Sequence, residues 1–176
     1  MKTWTWVLAL LVSAICVSNV AAQQQSDQAR RRLEKEVRHE LVMLPFYNVF
    51  DNFSFRVEGG RVTLMGQVTR PTLKSDAEGV VKQIQGVDSV DNQIEVLPLS
   101  SMDDQLRFAL FRAIYSQAPL QMLAIRAVPP IHIIVKNGNV TLDGVVATQL
   151  EKEVAGMAAN GVPGVFSVTN NLRVEH

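Results

Sequence analysis

The chain has 176 residues, with 17 basic and 17 acidic side chains, three histidines and one cysteine. A balanced charge excludes a general electrostatic attraction to nucleic acid. A single cysteine excludes a disulfide scaffold, so the fold must be held by apolar packing.

Residues 1–22 read as a secretory signal peptide. Lys2 supplies the positive start, Trp4 to Val17 is the apolar run, and Val20-Ala21-Ala22 offers small residues for cleavage. The run is short for a stable membrane span. Cys16 raises a lipoprotein signal as an alternative, but Ile15 stands before it, where that processing wants a small residue. Cleavage near Ala22 removes the only cysteine and both tryptophans. The remainder then has no indole to seat at a membrane interface.

Leu33, Val37, Leu41 and Leu44 follow helical spacing and predict one amphipathic helix. The next segment, "LPFYNVFDNF", carries Phe46, Tyr47 and Phe50 as core and lead-in to a strand. Phe53, Phe55 and Val57 then alternate with Ser54 and Arg56, a half-buried strand. Gly59-Gly60 marks a tight turn, and Val62, Leu64, Gly66 and Val68 alternate again, which makes a hairpin. Pro71 opens a second helix, Thr72 to Gln85, with Ala77, Val80, Val81 and Ile84 as its apolar stripe. Gly86 ends it, and Val90 to Val96 is the last strand.

The chain then repeats itself. From Gly60 to Val96, an ungapped offset of 78 gives identity at 14 of 37 paired positions, including Gly66 with Gly144 and Asn92 with Asn170. The second unit is predicted as Met102 to Gln117, Ile131 to Lys136, Asn139 to Val146, Gln149 to Asn160 and Val165 to Val174. Two copies of about 70 residues are too few and too long for a solenoid. The expected fold is α+β: two tandem αββαβ domains, each a three-stranded sheet with two helices on one face. The expected divisions are 1–22 signal peptide, 23–98 first domain and 99–176 second domain. Gly66 and Gly144 fall on the apolar strand face, where their lack of a side chain should let a helix backbone approach. Asn92 and Asn170 interrupt the buried alternation, and a side-chain hydrogen bond to nearby backbone is the expected use.

The pattern "NGxVTLxGxV", then a helix, then "GVxxVxNxLxV", resembles the BON domain of osmotically inducible and nodulation-related bacterial proteins. The resemblance covers the chain after the signal peptide, twice, and weakens in the first helix of each copy. It implies an exported or envelope protein, a link to phospholipid binding and envelope integrity, and no catalytic motif.

The residues themselves supply no convergent reactive groups. His39 falls on the polar side of the first helix, His132 alternates outward on a strand, and His176 ends the chain, so no two are spaced as metal ligands. There is no G-x-S-x-G and no phosphate loop. No enzyme, cofactor or metal is expected. Asp103-Asp104 suits the positive end of a helix, and the run Arg30 to Arg32 is balanced by Glu34, Glu36 and Glu40.

The two copies differ most in the first helix. In the second, Met102, Leu106, Ala109, Leu110, Ala113 and Ile114 form the core stripe. Phe108, Phe111 and Tyr115, flanked by Arg107 and Arg112, fall on the far side. A helix apolar on two faces needs a second thing to bury against. The other domain or a second chain, an anionic phospholipid surface, and an envelope protein all suit that composition. The segment Ala118 to His132 is longer than its counterpart and apolar enough to extend the patch if exposed. The functional expectation is a non-enzymatic periplasmic or secreted protein that binds anionic phospholipid or an envelope partner, in osmotic or other stress protection. Its rival is a soluble periplasmic protein-interaction or chaperone-like module without lipid binding.

Overall fold

A computed structural model describes the backbone of residues 4–175 and the side chains of residues 23–175. The predicted signal peptide, residues 1–22, and His176 lie outside the fully described residues. Among the described residues no helix is long and apolar enough to cross a membrane.

The first copy contains α1 (Trp4–Val42), β1 (Asn52–Glu58), β2 (Arg61–Val68), α2 (Pro71–Lys82), β3 (Ser89–Asn92) and β4 (Glu95–Val96). The second contains α3 (Ser101–Tyr115), a 3-10 helix (Gln121–Ile125), β5 (Ile131–Lys136), β6 (Asn139–Val146), α4 (Gln149–Asn160), β7 (Ser167–Asn170) and β8 (Arg173–Val174). In each copy the middle strand is the hairpin's second. β2 pairs antiparallel with β1 and parallel with β3 and β4; β6 does the same with β5, β7 and β8. A parallel pairing needs a crossover, and α2 and α4 supply it. The expected α+β repeat with helices on one sheet face is therefore the fold.

The period of two along each hairpin sorts the side chains. Val62, Leu64, Val140 and Leu142 are all buried, while Arg56 is exposed. Val37, Leu41, Leu73, Ala77 and Val81 close over the first sheet; Leu110, Ile114, Ala155 and Ala159 close over the second. A side chain such as Leu64, fully withdrawn from water, contributes on the order of 2 kcal/mol. Pro71 opens α2 at its first turn, where no amide partner is lost. Thr148 and Glu151 form a capping box at the start of α4.

The predicted last strand is two short pieces in each copy. Asn92 causes the break in the first: its side-chain carbonyl accepts from the Ile94 amide at 3.2 Å, and its NH2 donates to the Lys74 carbonyl at 2.8 Å. Asn170 repeats both bonds, to Leu172 and Lys152. The asparagine thus ties the strand to the helix lying over it, while the ladder resumes on the far side.

The two in-strand glycines have a different cause from the one expected. Gly66 has φ +115°, and a Cβ there would lie 2.0 Å from the Asn52 carbonyl oxygen. Gly144 has φ +136° and would meet the Pro130 carbonyl at 1.9 Å. The close approach comes from the backbone entering the paired strand, not from a helix. It sits where the chain swings into β1 and β5, so glycine here shapes the lead-in loop.

Candidate functional site

The loop between α1 and β1 makes the most consequential contacts in the molecule, and a buried carboxylate shapes it. Asp51 is fully buried and accepts from the Thr69 amide at 2.6 Å, the Thr69 hydroxyl at 2.8 Å and the Asn48 amide at 3.2 Å. A buried charge with three donors is compensated. Its partners tie residues 48–51 to the end of β2 and aim Val49 and Phe50 away from their own sheet.

Those two residues enter the second copy. Val49 belongs to the second copy's core, and its carbonyl accepts from the Ile133 amide at 2.8 Å, along the outer edge of β5. Phe50 meets Phe108 edge-on, with centroids 5.4 Å apart, and Phe111 at 6.4 Å. Tyr47 stacks on Phe53 of its own copy at 5.0 Å and on His132 of the other at 5.7 Å. Phe46 is exposed, held at φ 69° with the Arg70 guanidinium 4.8 Å over its ring. Of the three aromatics expected as core and lead-in, Tyr47 packs on the first copy's core, Phe46 is exposed and Phe50 packs on the second copy's core. Lys136 and Glu95 add an ion pair between the copies.

His132 does point outward from its sheet, but the first copy covers it. Its Nε2 lies 3.4 Å from the Tyr47 hydroxyl, and its Nδ1 is buried without a partner. Burial lowers its pKa below the ordinary histidine value, against the opposing pull of Asp51 and Asp143. The same burial raises the pKa of the Tyr47 phenol.

The helix α3 carries the residues expected to meet a partner, and it distributes them unevenly. Tyr115 is buried in its own copy: its hydroxyl donates to the Ile131 carbonyl at 2.9 Å and accepts from the Ile131 amide at 3.2 Å. That corrects the expectation of an outward tyrosine. Position 115 lies at the end of α3 beside the start of β5, and a phenol long enough to reach that backbone turns inward. Arg107 is also buried, donating to the Val135 carbonyl at 2.7 Å and pairing with Asp104. Phe111 is half-buried against Phe50. Phe108 and Arg112 remain exposed, with Phe108 at 60%.

Met102 was expected in the core stripe and is 64% exposed instead. Asp103 takes the inward position, with its two carboxylate oxygens accepting from the Asn137 and Gly138 amides at 2.8 and 2.9 Å. Asp103 and Asp104 both stand in the first turn of α3, as expected, and Asp103 anchors the hairpin turn as well. Ser100 caps the helix, accepting from the Asp103 amide. What α3 still offers to an external partner is Met102, Phe108 and Arg112, around a groove of about 440 Å³ closed by Pro163 and Gly164.

Sequence reasoning missed Val49, Asp51 and the bond of Asp103 to the hairpin turn. The spacing of Asn48 and Asp51 signals a side-chain-bonded turn, but nothing local says the turn's apolar residues belong to another domain. Among the described residues no three of histidine, cysteine, aspartate and glutamate cluster as metal ligands.

Comparison with known proteins adds a family to this geometry. The BON domain matches residues 29–98 and again 120–176. Osmotically-inducible protein Y of Escherichia coli (strain K12) is 30% identical over 127 residues, covering 70% of this chain and 62% of that protein. The chain thus aligns with less than two thirds of that relative's length. Two solved structures of CdsD, a structural protein of the type III secretion system of Chlamydia trachomatis, overlap 81% and 82% of the chain, and 96% and 92% of their own. Their identities are 12% and 14% and their TM-scores 0.28 and 0.32, too low to support a conclusion.

Proposed function

Because the chain belongs to the BON-domain family, we propose that it is an exported envelope protein, induced with osmotic or related stress, that binds anionic phospholipid surfaces without catalysing a reaction. The name of the Escherichia coli relative supports the osmotic part, and the apolar run Trp4 to Val17 within residues 1–22 supports export. The observation that carries the lipid part is the exposure of Phe108. Phe50 packs against one edge of that ring, yet it stays 60% exposed, beside Met102 at 64% and the exposed Arg112. An aromatic and a thioether next to a guanidinium suit the headgroup boundary, where apolar groups insert shallowly and arginine meets phosphate. The contact is smaller than the sequence pattern suggests, since Arg107 and Tyr115 are turned inward.

Co-sedimentation of residues 23–176 with phosphatidylglycerol and phosphatidylcholine vesicles, at two salt concentrations, tests this. Salt-sensitive binding to the anionic vesicles alone is expected, with the Met102→Ser/Phe108→Ser pair weakening it about tenfold or more, roughly 1.4 kcal/mol. Absence of binding to either vesicle would leave the protein-interaction module as the reading.

A further inference from the structure

The outer edge of β5 is met by one carbonyl of the first copy, Val49, and by Tyr115 and Arg107 of its own helix, and among the described residues the matching edge of the first copy has no such partners. Phe55 pairs with Leu64 in β1–β2 as Ile133 pairs with Leu142 in β5–β6. The Ile133 amide points out of its sheet and donates to Val49. The Phe55 amide, at the same register, also points out, and among the described residues no carbonyl from outside the sheet meets it.

The helix beside each edge can be aligned through its core. Leu33, Val37 and Leu41 correspond to Leu106, Leu110 and Ile114 at an offset of 73. The positions that read Asp104, Phe108 and Phe111 on the outer side of α3, and the inward-turned Tyr115 at its end, read Arg31, Lys35, Arg38 and Val42 on α1, all four of them exposed. The Arg38 guanidinium lies 5.5 Å over the Phe55 ring. Among the described residues no carboxylate pairs with Arg31, Lys35 or Arg38, and Glu34 is engaged by Arg30.

Beside this edge runs a cleft of about 780 Å³ between the copies. Arg38, Arg173 and His132 line it, with Asp143 as its one carboxylate, and Phe53 and Phe55 form its apolar floor. We infer that β1 and the basic face of α1 dock an extended acidic segment of a partner protein. The segment would run along β1, present a carbonyl to the Phe55 amide and an apolar side chain to Phe53 and Phe55, and place carboxylates against Lys35, Arg38 and Arg173. Main-chain pairing on an open edge gives affinity, and the flanking charges select the sequence. On the second copy a single bond of this kind is in use, from the Ile133 amide to the Val49 carbonyl, beside the aromatic contact of Phe50 with Phe108.

The test uses residues 23–176 and two blocked hexapeptides, Asp-Val-Phe-Val-Asp-Glu and its counterpart with lysine at each acid. Titration followed by amide NMR is expected to shift the Phe55 and Val57 signals with the acidic peptide and to slow Phe55 exchange. The lysine peptide should bind at least tenfold more weakly. Lys35→Glu/Arg38→Glu should weaken the acidic peptide at least tenfold with an unchanged thermal midpoint. Lys35→Glu alone, on an exposed side chain, should weaken it in the same direction. No shift at Phe55 with millimolar peptide, equal binding of the two peptides, or shifts confined to α3 overturns the inference. So does loss of phosphatidylglycerol-vesicle binding in the Lys35/Arg38 variant while the peptide leaves Phe55 unmoved, which assigns the basic face to membrane.

Discussion

The helices α1 and α3 stand at the same place in the two repeats and meet their sheets in the same way, yet their outer faces share almost nothing. Toward the sheet, leucine, valine and isoleucine occupy matched positions and all are buried. Away from it, Lys35 and Arg38 stand where Phe108 and Phe111 stand. The inward stripe answers to a packing requirement that both copies share. The outward face answers to whatever lies beside it, which for α3 is Phe50 of the preceding copy. The second BON match begins only at residue 120, beyond α3, whereas the first, from residue 29, takes in the end of α1 that packs on its sheet. A duplicated domain can thus keep its fold while the pair specialises: the first copy's loop completes the second, and the first copy's own edge stays open.

The shared features predict equal damage in both halves. Valine at Gly66 or Gly144 would need a backbone conformation that L residues rarely adopt and a Cβ inside a carbonyl contact. Each change should cost on the order of 3 kcal/mol or more. Thermal unfolding with the two variants side by side checks it, and a large loss at one site only would break the equivalence of the copies.

The unshared loop predicts damage in the wrong half. Val49→Asp places a charge in the second copy's core, at a cost of about 3 kcal/mol. Hydrogen exchange should then quicken in β5 and β6 more than in β1 and β2, although the substitution lies in the first copy. Exchange that quickens mainly in β1 and β2 would return Val49 to its own domain.

The smallest effect concerns pH. His132 has a folded pKa lowered by burial, so the unfolded chain binds the proton more readily. Its contribution is present at neutral pH and is lost as pH falls below about 6.5, the ordinary histidine value. His132→Gln should flatten the decline in thermal midpoint between about pH 7 and 5. An unchanged slope would remove His132 as its source.

The repeat, both hairpins and the helix faces over them were readable in the sequence because burial imposes periods of two and of 3.6 on local residues. Ile131 to Lys136 and Asn139 to Val146 even kept their predicted ends. The errors fall where long-range geometry decides. Phe46, Tyr47 and Phe50 look like core by composition, yet Phe46 is exposed, and only the bend at Asn48–Asp51 sends Phe50 to the second core while Tyr47 stays on the first. Tyr115 lies outside the central stripe by helical phase, yet the length of its side chain brings it back to the Ile131 backbone. Asp103 stands in the first turn of α3 as the helix-end rule expects, but nothing local shows that its oxygens also accept from two amides of the Asn137-Gly138 turn. Of the five residues expected at a partner surface, Phe108 and Arg112 remain accessible to one.

The central claim is that the aromatic face of α3 is joined to the first copy through Phe50. A double-mutant cycle between Phe50→Ala and Phe111→Ala, measured by chemical denaturation of residues 23–176, tests it most directly. The ring geometry predicts a coupling of about 0.5–1.5 kcal/mol between positions that belong to different repeats. Additive losses, with no coupling beyond about 0.3 kcal/mol, would contradict it.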